Sequence, residues 1–287
     1  MDLVIVKALD DAQREAVATL LALAAEKDGR HAVSEAGRLN LRAPREGVRH
    51  LLQCDESVEL VGYAQLDAED TAELVVLPAR RGRGFGKALL VGVLQEGAKQ
   101  VWAHGGHPAA RHLADEAGLE LVRELRQMRR PLPFDQALPP VPAGVSLRTF
   151  VPGQDEEAWL ALNARAFAHH PEQGSWTLRD LTEREAEPWF DPRGFFLAER
   201  GGVLVGFHWT KAEDGLGEVY VVGVSPDEQG NGLGKALTSV GLHHLGDTLG
   251  LPAVLLYVDA DNTAAVRVYE GLGFTLHEVD LQYRVRS

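Results

Sequence analysis

The sequence predicts an α/β protein in which an α+β mixed sheet is built twice, as two tandem domains. Three observations lead to this fold class: a glycine-rich segment that occurs twice, β-branched runs that alternate with amphipathic segments, and a proline-rich stretch between the two copies. A chain of 287 residues is long enough for two domains of ordinary size. Two long copies indicate a duplication, because a solenoid needs three or more short repeats.

The repeat is clearest around the glycines. Residues 76–89 read VLPARRGRGFGKAL and align without a gap with residues 224–237, which read VSPDEQGNGLGKAL. Both copies follow a valine run and contain a proline, three alternating glycines and a Lys-Ala-Leu sequence. Downstream, His107-Pro-Ala-Ala aligns with Asn262-Thr-Ala-Ala. The two halves of the chain are therefore predicted to share one fold.

A proline-rich segment separates the halves. Five of the twelve residues in 131–142 are proline, which fixes φ and removes backbone donors. This composition predicts a stiff linker rather than a helix or a central strand. The predicted domains are therefore residues 1–130 and 143–287, joined by a linker at 131–142.

The second half can be divided into elements in order. Residues 156–168 have the pattern of an amphipathic helix. Residues 194–198 and 203–209 are strand-like and are joined by a glycine turn that is typical of a hairpin, and the β-branched run 218–224 predicts the next strand. A helix is predicted to begin at the glycine turn and to continue to Leu245.

The remaining elements complete a mixed sheet flanked by helices. Residues 254–258 predict a buried strand, and residues 262–270 predict a short helix that Gly271 stops. Alternation of strands and helices of this kind is typical of one sheet with helices packed on it.

Composition excludes several functional classes. The net charge of −13 argues against nonspecific binding to nucleic acid or to anionic membranes, since both need a basic surface. Cys54 is the single cysteine, which excludes an internal disulfide framework and a thiolate metal cluster. The N-terminus does not read as a signal peptide, and no apolar run approaches about 20 residues. We expect a cytoplasmic protein.

Histidines do not form a metal-binding pattern. His169 and His170 are adjacent and cannot readily share one metal, and the motif H-E-x-x-H does not occur. We therefore expect no metal cofactor.

The glycine-rich turn after strand 218–224 has the chemistry of a phosphate cradle. Glycines allow positive φ and a close approach of the backbone, and the N-terminus of the following helix supplies N–H donors and partial positive charge. Alternating glycines alone also suit a simple turn before a helix. The spacing Q/R-x-x-G-x-G/A nevertheless differs from the dinucleotide and P-loop motifs.

With these motifs, both halves of the sequence resemble the GCN5-related N-acetyltransferase (GNAT) superfamily. The matching segments are Val224-Ser-Pro226, Gln229–Gly234 and Asn262–Phe274. The resemblance implies two tandem GNAT acetyltransferase domains and acetyl-CoA as co-substrate.

A closer resemblance is to the mycothiol synthase family of actinobacteria, and it covers nearly the whole chain. It is carried by the tandem layout, by residues 163–173, by Trp176-Thr and by residues 217–226. The resemblance implies a monomeric enzyme that acetylates the cysteinyl amine of 1D-myo-inosityl 2-(L-cysteinylamino)-2-deoxy-α-D-glucopyranoside to give mycothiol. Two alternatives stay open: a tandem acetyltransferase for a protein N-terminus, polyamine or aminoglycoside, and a CoA-binding sensor.

Acetyl transfer to an amine needs a base for the ammonium proton and an acid for the departing thiolate. Glu218, at the mouth of a buried strand, is the candidate base, acting directly or through water, and the superfamily's arrangement makes Tyr269 the candidate acid. In the repeat alignment these positions are occupied by Asp70 and Ala114. The N-terminal domain is therefore predicted to bind acetyl-CoA without catalysing transfer.

The resemblance also assigns ligand contacts. Predicted contacts with the acceptor are Glu35, Glu172, Lys211, Glu218 and Tyr257. Predicted contacts with acetyl-CoA in the first half are Leu74, Val75, Val76, Arg81, Gly82, Arg83, Gly84, Phe85, Gly86 and Lys87. In the second half they are Val222, Gly223, Val224, Gln229, Gly230, Asn231, Gly232, Leu233, Gly234, Lys235, Asn262, Thr263, Ala264, Ala265, Val266 and Arg267.

Overall fold

A computed structural model describes residues 2–170 and 173–286. The chain forms two compact units that are discontinuous in sequence. The N-terminal unit contains the residues up to Arg126 together with Asp259–Asp261 and the residues from Glu278 onward. The C-terminal unit contains Gln127–Val258 and Asn262–His277.

The N-terminal unit is a mixed sheet with helices on both faces. Strands β1 to β4 pair antiparallel in order, and β5 pairs parallel with β4 after a crossover through a helix. The strands are β1 (Asp2–Val6), β2 (Arg49–Cys54), β3 (Leu60–Leu66), β4 (Thr71–Val76) and β5 (Gln100–Ala103), and the helices are α1 (Asp11–Asp28), α2 (Glu35–Arg42), α3 (Phe85–Gln95) and α4 (Pro108–Glu116).

The C-terminal unit repeats this arrangement. Its first four strands pair antiparallel in order, and the fifth pairs parallel with the fourth. The strands are β7 (Val145–Thr149), β8 (Phe195–Arg200), β9 (Val203–Glu213), β10 (Leu216–Val224) and β11 (Ala253–Asp259), and the helices are α5 (Glu156–Ala166), α6 (Leu178–Glu185), α7 (Leu233–His243) and α8 (Thr263–Gly271). The predicted α/β fold class with a mixed sheet is confirmed.

Two long strands are divided between the units. Strand β12 (Thr275–Arg284) supplies Leu281–Arg284, which pair antiparallel with β5 inside the N-terminal unit. Strand β6 (Glu120–Pro131) lies beside β11, and its last residues belong to the C-terminal unit. The N-terminal unit therefore includes the end of β12, and the C-terminal unit includes the end of β6. Both segments lie outside the predicted ranges 1–130 and 143–287 of those domains.

The proline-rich segment packs against the C-terminal unit and is not a separate linker. After β6 it contains neither helix nor strand up to Gly144. Phe134 is buried in the core of the C-terminal unit, with the Arg130 guanidinium 4.7 Å from its ring centre and the His243 ring edge-on at 5.2 Å. Burial of this aromatic ring explains why the segment belongs to the C-terminal unit.

The sheet of the C-terminal unit separates two cores. The α8-side core contains Val219, Leu242, Leu256, Val266 and Phe274. The α5-side core contains a cluster of stacked and edge-on aromatic rings: Phe150, Trp159, Trp189, Phe195, Phe207 and Trp209. Alternation of side chains along the strands assigns each residue to one of these two faces.

No helix among the described residues is both long and apolar enough to cross a membrane.

Candidate active site

Strand β10 contains a β-bulge at Tyr220. Its register against β9 shifts between Val219, which lies opposite Thr210, and Val221, which lies opposite Trp209. Because side chains alternate along a strand, the extra residue changes which face the following residues occupy. Val219 and Val222 consequently both pack on the α8-side core, whereas Tyr220 and Val221 pack on the α5-side core.

Beyond the bulge, β10 and β11 separate. Among the described residues, their parallel pairing joins 217–219 to 254–256. The Ser225 N–H donates to the Val205 carbonyl at 2.9 Å, and alternation of antiparallel pairs therefore makes Gly223 and Phe207 a hydrogen-bonded pair. It follows that the backbone groups of Val222 and Val224 point away from β9 and line the opening between the strands.

The glycine turn joins this strand to α7. Gly230 and Gly232 have φ of 79° and 90°, and no atom lies within 4 Å of a Cβ built on either residue. Backbone conformation, rather than lack of space, therefore explains these glycines. The turn is exposed, and the Leu233 N–H at the start of α7 donates to the Asn231 side chain at 3.1 Å.

Helix α8 begins beside the same opening. Asn262 caps it by accepting from the Ala265 N–H at 3.1 Å, and the first turn is exposed at Thr263 and Ala264. Tyr269, two turns later, packs on the α8-side core as Val222 does, and its ring lies edge-on to Phe274 at 5.9 Å. Loss of solvation raises the pKa of Tyr269 to about 12, so its hydroxyl stays protonated near neutral pH.

Polar side chains gather on the opposite face of the same sheet. Glu218 pairs across the strands with Lys211, and its neighbour on β11 is Leu255. Because Val254, Leu256 and Val258 face the α8-side core, Tyr257 shares the other face with Glu218. The structure thus brings Lys211, Glu218 and Tyr257 to one face, close to the bulge.

Lys211 is almost fully buried and is held by both charge and aromatic rings. Its ammonium lies 2.9 Å from the Glu213 carboxylate and 4.6 Å from the centre of the Trp189 ring. The phenol of Tyr220 accepts from the Arg184 Nε at 2.7 Å. Sequence reasoning missed Tyr220, Trp189 and Arg184. Arg184 is in α6 and Trp189 follows that helix, so only the folded chain brings them to Tyr220 on β10.

Two further acceptor contacts were predicted. Glu172 lies outside the described residues. Glu35 is the first residue of α2 in the N-terminal unit, directly after its N-cap Ser34.

The N-terminal unit contains a cavity of about 570 Å³ beside its own glycine turn. Its lining residues include Leu74, Val76, Gly84, Trp102 and His104. Gly82 and Gly84 have φ of 73° and 88°, as in the second copy. The Leu77 N–H donates to the Val61 carbonyl, so the backbone groups of Leu74 and Val76 point away from β3 by the same alternation.

Arg81 differs from its counterpart Gln229. Its guanidinium makes a bidentate ion pair with Asp28, with both N–O distances 2.7 Å, and its Nε donates to the Val76 carbonyl at 3.1 Å. The hydrogen bond with Arg81 lowers the pKa of Asp28. The Arg81 side chain is therefore engaged within the protein, and a ligand in this cavity would meet its backbone.

A buried network of ionised groups lies at the edge of this cavity. The His104 imidazole lies 2.7 Å from the Glu73 carboxylate and 3.1 Å from the Asp280 carboxylate. Ser34 N–H and the Gln65 amide also donate to Glu73, at 2.8 and 3.0 Å. Burial opposes the charged imidazole, but the hydrogen bonds with both carboxylates prevail and raise the pKa of His104 to about 10.

In residues 2–170 and 173–286, no three His, Cys, Asp or Glu side chains are grouped so that they could hold a metal ion.

Comparison with known proteins identifies the family. The sequence model of the acetyltransferase (GNAT) family matches residues 14–119 and 157–274. The chain is 63% identical to a mycothiol acetyltransferase of Streptomyces coelicolor over 286 residues, which cover 96% of this chain and 92% of that protein. The chain belongs to the mycothiol acetyltransferase family. It is therefore an acetyltransferase with two GNAT regions, as its sequence motifs predict.

Other relatives agree with this membership. A mycothiol acetyltransferase of Frankia alni is 50% identical, over 97% of this chain and 93% of that protein. A solved GNAT structure from Sphaerobacter thermophilus is 25% identical, with a TM-score of 0.69, and covers 99% of this chain and 95% of that chain. A tandem GNAT protein of the clavulanic acid biosynthesis pathway shares the fold at 21% identity, with a TM-score of 0.74, over 99% of this chain and 98% of that chain.

Proposed function

We propose that the C-terminal unit transfers the acetyl group of acetyl-CoA to the cysteinyl amine of 1D-myo-inosityl 2-(L-cysteinylamino)-2-deoxy-α-D-glucopyranoside, giving mycothiol. The observation that carries the proposal is strand β10 itself. It presents Glu218 on one face before the bulge, and after the bulge it lines the opening with the backbone of Val222 and Val224. One strand thus presents groups for both an amine and a thioester.

Acetyl-CoA fits the opening and the turn that follows it. The exposed turn Gln229–Lys235 and the N-terminus of α7 offer backbone donors to the pyrophosphate, and Val222 and Val224 offer backbone groups to the pantetheine arm. The exposed first turn of α8, residues 263–267, completes the cofactor side. The bound co-substrate supplies the acetyl thioester, and the protein supplies orientation and proton transfer.

The two proton transfers are assigned to Glu218 and Tyr269, which lie on opposite faces of the sheet. Glu218 takes the proton of the acceptor ammonium, directly or through a water, so that the neutral amine nitrogen forms the new bond to the acetyl carbon. As the bond from that carbon to sulfur breaks, Tyr269 gives its proton to the departing thiolate. A phenol whose pKa is about 12 stays protonated until it gives its proton to the thiolate.

Acceptor recognition is assigned to Lys211, Glu218 and Tyr257, with Glu35 and Glu172 as further contacts from the family resemblance. An ammonium and a phenol can donate to sugar or inositol hydroxyls, and carboxylates can accept from them. We further propose that the protein acts as a cytoplasmic monomer without nucleic-acid or membrane partners, which its net charge of −13 favours.

The N-terminal unit is proposed to bind acetyl-CoA without catalysing transfer. Its cavity and glycine turn repeat the features of the cradle. At the position that aligns with Glu218, Asp70 has a left-handed backbone and pairs with the Lys99 ammonium at 2.8 Å. At the position of Tyr269, Ala114 is a small buried core residue. A base and an acid for transfer are therefore both replaced.

The acceptor assignment is tested by incubating the protein with acetyl-CoA and the cysteinyl pseudo-disaccharide and analysing the products by mass spectrometry. An N-acetylated product that retains its thiol is expected. Transfer only to a polyamine, an aminoglycoside or a peptide N-terminus would refute the proposed acceptor, but it would still agree with acetyltransferase activity.

Replacing Tyr269 with phenylalanine should reduce kcat by about 100-fold or more, the usual contribution of a positioned proton donor. The substitution keeps the ring that packs against Phe274 and removes only the hydroxyl. Steady-state rates with both substrates saturating test the prediction, with acetyl-CoA affinity as the control. An unchanged kcat would remove Tyr269 from the mechanism.

Replacing Gly232 with alanine should raise KM for acetyl-CoA by about 5- to 30-fold, because a Cβ in the left-handed region costs roughly 1–2 kcal/mol. The matched variant Gly84→Ala, at a φ of 88°, should leave KM and kcat unchanged. Native mass spectrometry with increasing acetyl-CoA is expected to count two CoA molecules per wild-type chain. On the Gly84→Ala chain, one of the two should bind about 5- to 30-fold more weakly. A single CoA on the wild type would contradict binding by the N-terminal unit.

A further inference from the structure

A short polar relay ends on Tyr257. Gln127, on β6, is buried, and its amide Nε2 lies 2.8 Å from the Tyr257 hydroxyl. The amide Oε1 lies 2.7 Å from the Nε of Arg129, two residues further along the strand. All three residues belong to the C-terminal unit.

Chemistry determines which way the Gln127 amide points. A guanidinium has only donors, so the amide atom that it contacts must be the oxygen. The amide nitrogen is then directed to Tyr257 and donates to it. The phenol oxygen accepts this bond, and the phenol proton is accordingly directed away from Gln127.

The relay lies on the face of the sheet that carries the proposed acceptor contacts. Met128 packs in the α8-side core, so its neighbours Gln127 and Arg129 face the other way. Tyr257 is 43% exposed on that face. Glu218 and Lys211 share the face, as described above.

We propose that Gln127 is a positioning residue that makes Tyr257 a hydrogen-bond donor toward a hydroxyl oxygen of the polyol part of the acceptor. The inference rests on the proposed function, since it concerns how the same site recognises its acceptor. Arg129 sets the orientation of the amide, the amide sets the orientation of the phenol, and the phenol proton selects an acceptor with a hydroxyl oxygen there.

The substitution Gln127→Glu reverses the direction of the hydrogen bond with Tyr257 and keeps nearly the same side-chain shape. A carboxylate keeps the contact with Arg129, now as an ion pair, but it can only accept from Tyr257. The phenol proton is drawn inward, and the phenol presents only lone pairs to the acceptor. A polyol hydroxyl can then bond to the phenol only by donating, which takes its proton away from the carboxylates of the site. We expect KM for the pseudo-disaccharide to rise about tenfold, with kcat and KM for acetyl-CoA within about twofold of wild type, the loss expected for an unmade buried hydrogen bond.

Two further variants separate positioning from a general structural effect. Tyr257→Phe should raise KM for the acceptor by a similar factor, and adding Gln127→Glu to it should have no further effect. Equal KM values for wild type and Gln127→Glu would overturn the proposal. So would a parallel rise in both KM values, or a Gln127→Glu effect that persists in the Tyr257→Phe background.

A binding measurement keeps this test independent of turnover. Free myo-inositol, followed by NMR titration on the full chain, should bind the wild type about tenfold more tightly than Gln127→Glu. Equal binding, or no binding to the wild type, overturns the role of Gln127. A wild type that binds inositol yet does not acetylate the pseudo-disaccharide instead refutes the proposed function.

Discussion

Replacing Glu218 with glutamine is expected to lower kcat by about 100- to 10,000-fold, the usual contribution of a positioned general base. An amide has the shape of the carboxylate and can still hydrogen-bond, but it cannot take the ammonium proton. Affinity for acetyl-CoA should not change, because the cradle is built from backbone groups after the bulge. Steady-state kinetics and equilibrium titration of acetyl-CoA measure the two quantities separately.

Glu213 provides the matched control for Glu218. Its carboxylate lies 2.9 Å from the Lys211 ammonium, so Glu213→Gln also removes a negative charge beside this buried lysine. Glu213 is on β9, however, and its side chain is 41% exposed. We expect its kcat to stay within about threefold of wild type, because water can replace the carboxylate at the exposed Glu213 end of the pair and the Lys211 ammonium keeps its contact with the Trp189 ring.

Two results would contradict the assignment of Glu218. One is a Glu218→Gln variant that retains more than half of the wild-type kcat. The other is an equal loss in both variants, which would indicate that the charge around Lys211 matters rather than a base at Glu218.

Much of the fold could be predicted from the sequence because its signals are local. The strand before the glycine turn and the helix after it depend on β-branched residues and on glycines at φ of 79° and 90°. The predicted strand 218–224 extends over Leu216–Val224, and the predicted helix 262–270 over Thr263–Gly271. Boundaries of these elements follow from residues that are neighbours in the chain.

The features that could not be predicted depend on pairing between distant segments. The bulge at Tyr220 is visible only from the register with β9. Pairing of Leu281–Arg284 with β5 joins residues about 180 positions apart, and the contact of Gln127 with Tyr257 joins residues 130 positions apart. No local pattern encodes such pairs, so the repeat alone suggested two continuous domains.

Gly223 has a structural role besides the predicted contact with acetyl-CoA. Sequence reasoning assigned it to the cofactor through its backbone. A Cβ at this position would lie 2.6 Å from the Phe207 ring, so packing of that ring also requires glycine. Core packing therefore accounts for glycine at this position, and the proposed approach of acetyl-CoA would favour the same residue.

Replacing His104 with leucine is expected to destabilise the N-terminal unit by about 3–5 kcal/mol, the usual cost of removing one partner from a buried ion pair. The imidazolium lies between Glu73 and Asp280, and Glu73 is only 6% exposed. Without the imidazolium, the two carboxylates must either stay charged at low exposure or take up protons, and both outcomes cost free energy. Chemical denaturation monitored by tryptophan fluorescence measures the loss. The control Lys87→Met, which removes the exposed pair with Glu116, should leave the free energy of unfolding almost unchanged.

The sign of the pH dependence distinguishes this charged network from a simple packing defect. The pKa of His104 rises from 6.5 to about 10 on folding, so the stability it contributes is complete below pH 6.5 and is lost as the pH rises through 10. The hydrogen bonds with His104 lower the pKa values of Glu73 and Asp280 despite burial, so their contribution is lost as the pH falls through the acid range. The difference in unfolding free energy between wild type and His104→Leu should therefore be largest near pH 5–6.5 and should shrink toward pH 10. A difference that stays constant from pH 6 to 10 would mean that leucine merely packs badly, and that the imidazole carries no charge in the folded protein.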